Sequence, residues 1–149
     1  MPAVSEPVLP HSWRPLGVRL AGLIFGGALL VVSGFAWFAF DDQTREAFSP
    51  FQRGTIVALG LVLYGAGYAL ARSRVLAEST RLVVVNGYRR HEYAWPEVLA
   101  VHLAPGAPWA VLDLADGTSQ SAMGIQGSDG ARAQRAVAEL RLLLEQRSG

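Results

Sequence analysis

Two long uncharged apolar runs limit what this chain can become. The first lies within Gly17–Phe40. Its only charge is Arg19, which leaves 21 uncharged residues from Leu20 to Phe40. The second, Gly54–Ala71, has 18 residues and no charge. A bilayer core needs roughly 20 apolar residues in a helix, within a range of about 17–25. A helix in hydrocarbon satisfies its own backbone, so the glycines in both runs are tolerated there. Of 149 residues, 51% are hydrophobic and 17% charged. The remainder of the chain is too small to cover two wholly apolar helices in a soluble core. The first run also exceeds the ~7–15 residue core of a cleaved signal, and no A-x-A site follows it. The expectation is a two-helix transmembrane hairpin with a tail at 1–16, helices at 17–40 and 54–71, a short loop at 41–53 and a soluble domain at 72–149.

The loop is polar and flanked by Trp37, Phe38, Phe40, Phe48 and Phe51, residue types that settle at headgroup level. It has three acids (Asp41, Asp42, Glu46) against two arginines (Arg45, Arg53). Arg14 and Arg19 precede the first helix, while Arg72, Arg74 and Arg81 follow the second. Positive charge favours the cytoplasmic side. This predicts a multi-pass protein of the cell membrane with both termini cytoplasmic and the loop outside. Gly22–Gly26 and Gly65–Ala69 place small residues at helical spacing, which suits close packing against the other helix.

After Ala71 the pattern changes to short stretches rich in β-branched and aromatic residues, separated by turn signals. Strands are expected at Arg74–Glu78, Arg81–Val85, Tyr88–Ala94, Val98–Leu103, Trp109–Leu114 and Thr118–Met123. Asn86-Gly87 reads as a tight hairpin whose two central residues take positive φ, and Asp116-Gly117 repeats the device. Pro105-Gly106-Ala107-Pro108 marks a wider loop. One helix closes the chain. Ser128 or Asp129 is placed to cap its start, and Ala133, Ala136, Val137, Leu140, Leu143 and Leu144 form its apolar face. Arg135–Glu139 and Arg141–Glu145 lie at i,i+4 on its outer side, where such pairs contribute only tenths of a kcal/mol.

An ordered set of residues carries a family resemblance. Asn86-Gly87 is followed by Arg89-Arg90, then by Trp95-x-x-Val98 and by Leu114-Ala115-Asp116-Gly117. Gly127-Ser128-Asp129-Gly130-Ala131-Arg132-Ala133 then runs into Ala138-Glu139-Leu140. Over roughly residues 72–146 this resembles the bacterial pleckstrin-homology-like (PH) domains of small two-helix membrane proteins, and within them the low molecular weight protein antigen 6 PH-domain family of GC-rich Gram-positive bacteria. The resemblance implies an α+β PH-like domain, a curled antiparallel β-sheet or barrel capped by one C-terminal α-helix. It brings no catalytic residues.

The residues themselves point the same way. The chain has no cysteine, which excludes disulfides, thiolate metal sites and thiol catalysis. All 13 basic residues are arginine and the net charge is +1, which gives no reason to expect a nucleic-acid partner. His11, His91 and His102 form no metal-spaced pair, and no phosphate-cradling glycine motif is present. Neither a cofactor, a metal nor an enzymatic activity is expected. The candidate contact residues are Arg72, Arg74, Arg81, Arg89 and Arg90, together with Trp109 beside the Pro105–Pro108 loop. Arginines near a cytoplasmic leaflet gain about 1 kcal/mol each from anionic lipid, and they also serve simply as topology signals. Three functions follow. One is a non-catalytic membrane protein that presents a PH-like domain to a protein partner through a sheet edge. The others are a reader of anionic lipid headgroups and an accessory subunit of a larger membrane complex.

Overall fold

The computed structural model describes residues 5–147. Strand β1 (His11–Trp13) comes first, followed by the long helix α1 (Leu16–Ala39), the short helix α2 (Asp42–Ala47) and the long helix α3 (Pro50–Arg72). Strands β2 (Arg74–Ala77), β3 (Arg81–Asn86), β4 (Arg89–Ala94), β5 (Val98–His102), β6 (Trp109–Leu114) and β7 (Ser119–Gln126) follow, and α4 (Ala131–Arg147) ends the described chain. Both α1 and α3 are long and apolar enough to cross a membrane, and neither window is buried within the protein.

The connection between them is more ordered than the polar loop expected at 41–53. Asp41 accepts the Thr44 N–H at 2.7 Å and caps α2. Its carboxyl is held below its ordinary value by hydrogen bonds from Thr44. Ser49 and Gln52 form a reciprocal capping box, with Pro50 in the first turn, so α3 starts four residues earlier than its uncharged run. The ring of Phe48 stacks on Phe40, and Arg53 lies over Trp37. The expected helix–helix role of Gly22 and Gly26 is not realised, since a Cβ at either would meet nothing within 4 Å.

Two antiparallel sheets build the domain, in the orders β1-β2-β3-β4 and β5-β6-β7. They pack face to face as an open sandwich and do not close into a barrel. Alternation along β2 and β6 turns Val75, Ala77, Ala110, Leu112 and Leu114 inward. The apolar stripe of α4 (Ala133, Ala136, Val137, Leu140, Leu143, Leu144) is buried over the sheets as expected. At Gly124 the strand β7 meets the backbone of β2. A Cβ there would stand 2.5 Å from the Arg74 Cα, so only glycine allows this approach.

The six expected strands are all present, with ends shifted by no more than a few residues. The first hairpin turns one residue later than Asn86-Gly87 suggested. Asn86 pairs with Arg89 as the last rung of the ladder, which makes Gly87 and Tyr88 the central residues. Only Gly87 has positive φ, at 60°, the pattern of a turn with glycine at its first central position. Asn86 is thereby free to bridge the sheets. Its amide donates to the Ser121 carbonyl and its Oδ1 accepts the Met123 N–H at 2.9 Å.

The largest departure lies at the N-terminus. Residues 11–13 are not simply a tail. His11 pairs with Ala77, Ser12 with Leu76 and Trp13 with Val75, so β1 is the outer strand of the four-stranded sheet. Trp13 is buried at 7% exposure, and its indole N–H donates to Glu139 Oε2 of α4 at 2.8 Å. The helix pair is therefore an insertion between the first and second strands of the sandwich.

Candidate functional site

The two long helices are joined to the domain at three points, and these build the site. The first is a cap supplied from afar. Pro15 precedes α1 and offers no capping side chain. The carboxylate of Asp129 fills the role, accepting the N–H of Leu16 at 2.9 Å and of Gly17 at 2.7 Å. A carboxylate suits the positive end of a helix. Of Ser128 and Asp129, the two residues placed to cap α4, Asp129 serves α1 instead. Gly17 is small for a reason, because a Cβ there would lie 2.9 Å from Asp129 Oδ1.

The second joint is Ser73, fully buried just after α3. Its hydroxyl donates to the Ala69 carbonyl at 3.0 Å and accepts the Gly87 N–H at 2.9 Å. The third is the β3–β4 turn itself. Gly87 sits against Ala69, and the Tyr88 hydroxyl donates to the Gly65 carbonyl at 2.9 Å. Gly65 lies about 10 Å from the Arg72 end of α3, at 1.5 Å per residue. The Gly65–Ala69 pair thus receives a turn of the domain and not another helix.

Between these joints opens a cleft of about 410 Å³, lined by Arg14, Arg19, Tyr68, Ala71, Arg72, Arg74, Val85, Tyr88 and Arg90. Arg14 comes from the short link between β1 and α1, Arg19 from the first turn of α1, and Tyr68 and Arg72 from the last turns of α3. Arg74, Val85 and Arg90 stand directly opposite one another across β2, β3 and β4, so their side chains share one face. The Arg72 guanidinium lies 5.8 Å from the Tyr68 ring and 5.4 Å from that of Tyr88, within cation–π range. Arg90 meets Glu92 at 2.7 Å.

Of the residues singled out from sequence, Arg72, Arg74 and Arg90 converge here. Arg81 does not, because it is held by Glu78 at 2.6 Å and Glu92 at 2.7 Å. These carboxylates, Glu78 foremost, raise its guanidinium above the ordinary value. Arg89 is exposed at the start of β4 and does not line the cleft. Trp109 is half-buried at the start of β6, opposite Gln126, away from the cleft. Arg14, Arg19, Tyr68 and Tyr88 were missed as site residues. The signal the sequence offers is the pair of arginines, Arg14 and Arg19, at the first helix, which also serve as topology signals.

The histidines have structural neighbours. His11 packs edge-on against Trp13 with Glu139 3.9 Å away, His91 stacks with Tyr93, and His102 lies 3.4 Å from Asp113. Burial is the main cause holding the Tyr93 phenol above its ordinary value, with the charges of Asp116 and Glu97 adding to it.

Comparison with known proteins agrees with this architecture. A family model described as a bacterial PH domain matches residues 72–143. An uncharacterized protein of Mycobacterium tuberculosis strain H37Rv is 34% identical over 144 residues, covering 93% of this chain and 88% of the relative. Uncharacterized proteins of Mycobacterium bovis and of a second Mycobacterium tuberculosis strain match to the same extent. No solved structure matches. The relatives' coverage takes in the helix pair as well as the domain, whereas the family model begins after β1. The sandwich, its capping helix and these matches make the chain a member of the bacterial PH domain family.

Proposed function

We propose that this chain is a non-catalytic integral membrane protein that holds its PH domain rigidly against the cytoplasmic face, as an interaction module for a protein partner. The observation that carries the reading is β1. A strand that precedes the helices completes the sheet that follows them, so α1 must start, and α3 must end, on the side where the domain lies. A hairpin that crosses the bilayer twice meets this condition. Arg14, Arg19, Arg72 and Arg74 cluster at that end, while acids outnumber arginines in residues 41–53. This charge asymmetry favours the cytoplasm for the domain. Polar groups of the kinds used in catalysis already have structural work: Asp129 caps α1, Glu139 holds Trp13, and Asp116 organises the β6–β7 turn through Thr118.

The natural chain lacks cysteine, so single thiols can be placed without background. Thr44→Cys should react with an impermeant maleimide in intact cells, and Gln146→Cys only after permeabilisation. Labelling of Gln146→Cys in intact cells would overturn the orientation. Ser12→Cys with Leu76→Cys, directly opposite in the β1–β2 ladder, should form a disulfide under mild oxidation. Its absence would sink the rigid mounting.

A further inference from the structure

Arginines that merely set topology need only lie on one side of the membrane. Here five of them (Arg14, Arg19, Arg72, Arg74 and Arg90) converge on one cleft, and no carboxylate lines it. Glu92 engages Arg90 from outside the lining. Among the described residues, Arg14, Arg19, Arg72 and Arg74 have no carboxylate within 4.0 Å. The Nε of Arg74 is buried and has no hydrogen-bond partner. A buried charged donor without an acceptor is unfavourable, and converging positive charges repel one another. An anion in the cleft relieves both. Guanidinium forks match phosphate oxygens in geometry.

The place of the cleft narrows the class of anion. Its walls are the first turn of α1 and the last turns of α3, where the apolar helix surface gives way to polar chain. That is the depth of lipid phosphates, and tyrosines prefer the same level. Tyr68, Tyr88 and Val85 add an apolar side to the cleft, suited to the glycerol and upper acyl region of a lipid.

We propose that the cleft binds the phosphate of an anionic phospholipid from the leaflet next to the domain, gripped by helix ends and sheet together. This rests on the membrane reading above. Free phosphate shares the chemistry, so the test must separate the two sources. The full-length protein is delipidated in mild detergent and titrated with phosphatidylglycerol or phosphatidylcholine, and bound lipid is counted by native mass spectrometry. Detergent removes any dependence on which way the hairpin crosses, so this experiment fails separately from the topology labelling. Phosphatidylglycerol should bind preferentially. Arg19→Gln and Arg72→Gln, both at exposed positions, should each weaken binding about fivefold, and adding Arg74→Gln should bring the loss to about 100-fold. Arg81→Gln should leave binding unchanged. Equal binding of the two lipids, or wild-type binding by both exposed single variants, would overturn the proposal. Displacement of phosphatidylglycerol by millimolar inorganic phosphate would overturn the lipid as the source of the anion.

Discussion

Asp129→Ala tests the joint between helix and domain most directly. The carboxylate accepts two backbone N–H groups, from Leu16 at 2.9 Å and Gly17 at 2.7 Å, 113 and 112 positions away in sequence. Loss of a capping side chain costs about 0.5–2 kcal/mol. Two charge-assisted bonds at the positive end of a long helix argue for the upper part of that range. Exposure of the site to solvent argues against its limit, which leaves about 1.5 kcal/mol. For a domain of this size each kcal/mol moves Tm by about 4–8 °C. Full-length Asp129→Ala in detergent should therefore melt about 6–12 °C below the wild type when followed by circular dichroism. Asp129→Asn keeps one acceptor oxygen and loses the charge, so it should fall between the two. The Ser12→Cys/Leu76→Cys disulfide should also form less completely in the Asp129→Ala background, because the chain entering α1 is released. A melt within about 2 °C of wild type, a shift far below one cap's worth, with undiminished cross-linking, would refute the claim that Asp129 ties α1 to the domain.

Trp13→Ala should destabilise the domain by about 3–5 kcal/mol, measured by urea unfolding, because it empties a buried site beneath α4. Gly124→Ala should yield little folded protein in a solubility or melting assay, since its Cβ would strike the Arg74 backbone; Gly22→Ala, with open space around it, should behave as wild type. Asn86→Ala should cost about 1–3 kcal/mol in the same urea assay by leaving the Met123 N–H and Ser121 carbonyl without their partner. Asp116 is held below its ordinary carboxyl value chiefly by the Thr118 hydroxyl and then by the Thr118 N–H. A depressed folded-state pKa gives stability above the unfolded value that is lost as pH falls through the folded one. The Tm gap between wild type and Thr118→Val should thus persist at neutral pH and shrink below pH 3.8.

Features that depend on local pattern were legible in the sequence. Uncharged length announced α1 and α3, alternation gave the strands, and helical spacing gave the buried face of α4. Features that depend on a distant partner were not. Asn86-Gly87 looked like a turn core by its local preference, but the amide of Asn86 is used by β7, so the turn slides to Gly87-Tyr88. Asp129 stands where a cap for α4 belongs, and its real partners are at residues 16 and 17. Strand β1 has only three residues, too few for periodicity to register, and its partner follows the whole helix pair. The candidate cleft was legible by half. Arg72, Arg74 and Arg90 stood out as a basic group, but nothing local brings Arg14 and Arg19 beside them. That convergence is made by β1 pairing and the cap on α1.

The position of β1 also sets an order for assembly. When His11–Trp13 leaves the ribosome, its pairing partner Arg74–Ala77 is still some 60 residues from being made, a delay of roughly 3–12 s at ordinary synthesis rates. Both apolar helices are translated in that interval. If only one of them enters the bilayer, β1 and β2 are stranded on opposite sides. The sandwich then lacks its outer strand, the Trp13 site stays empty, and β2 presents an open edge of the kind that invites aggregation. On the proposed double crossing, completion of the domain would act as a proofreading step on membrane insertion: a chain threaded once would leave β1 and β2 apart and its sheet unclosed.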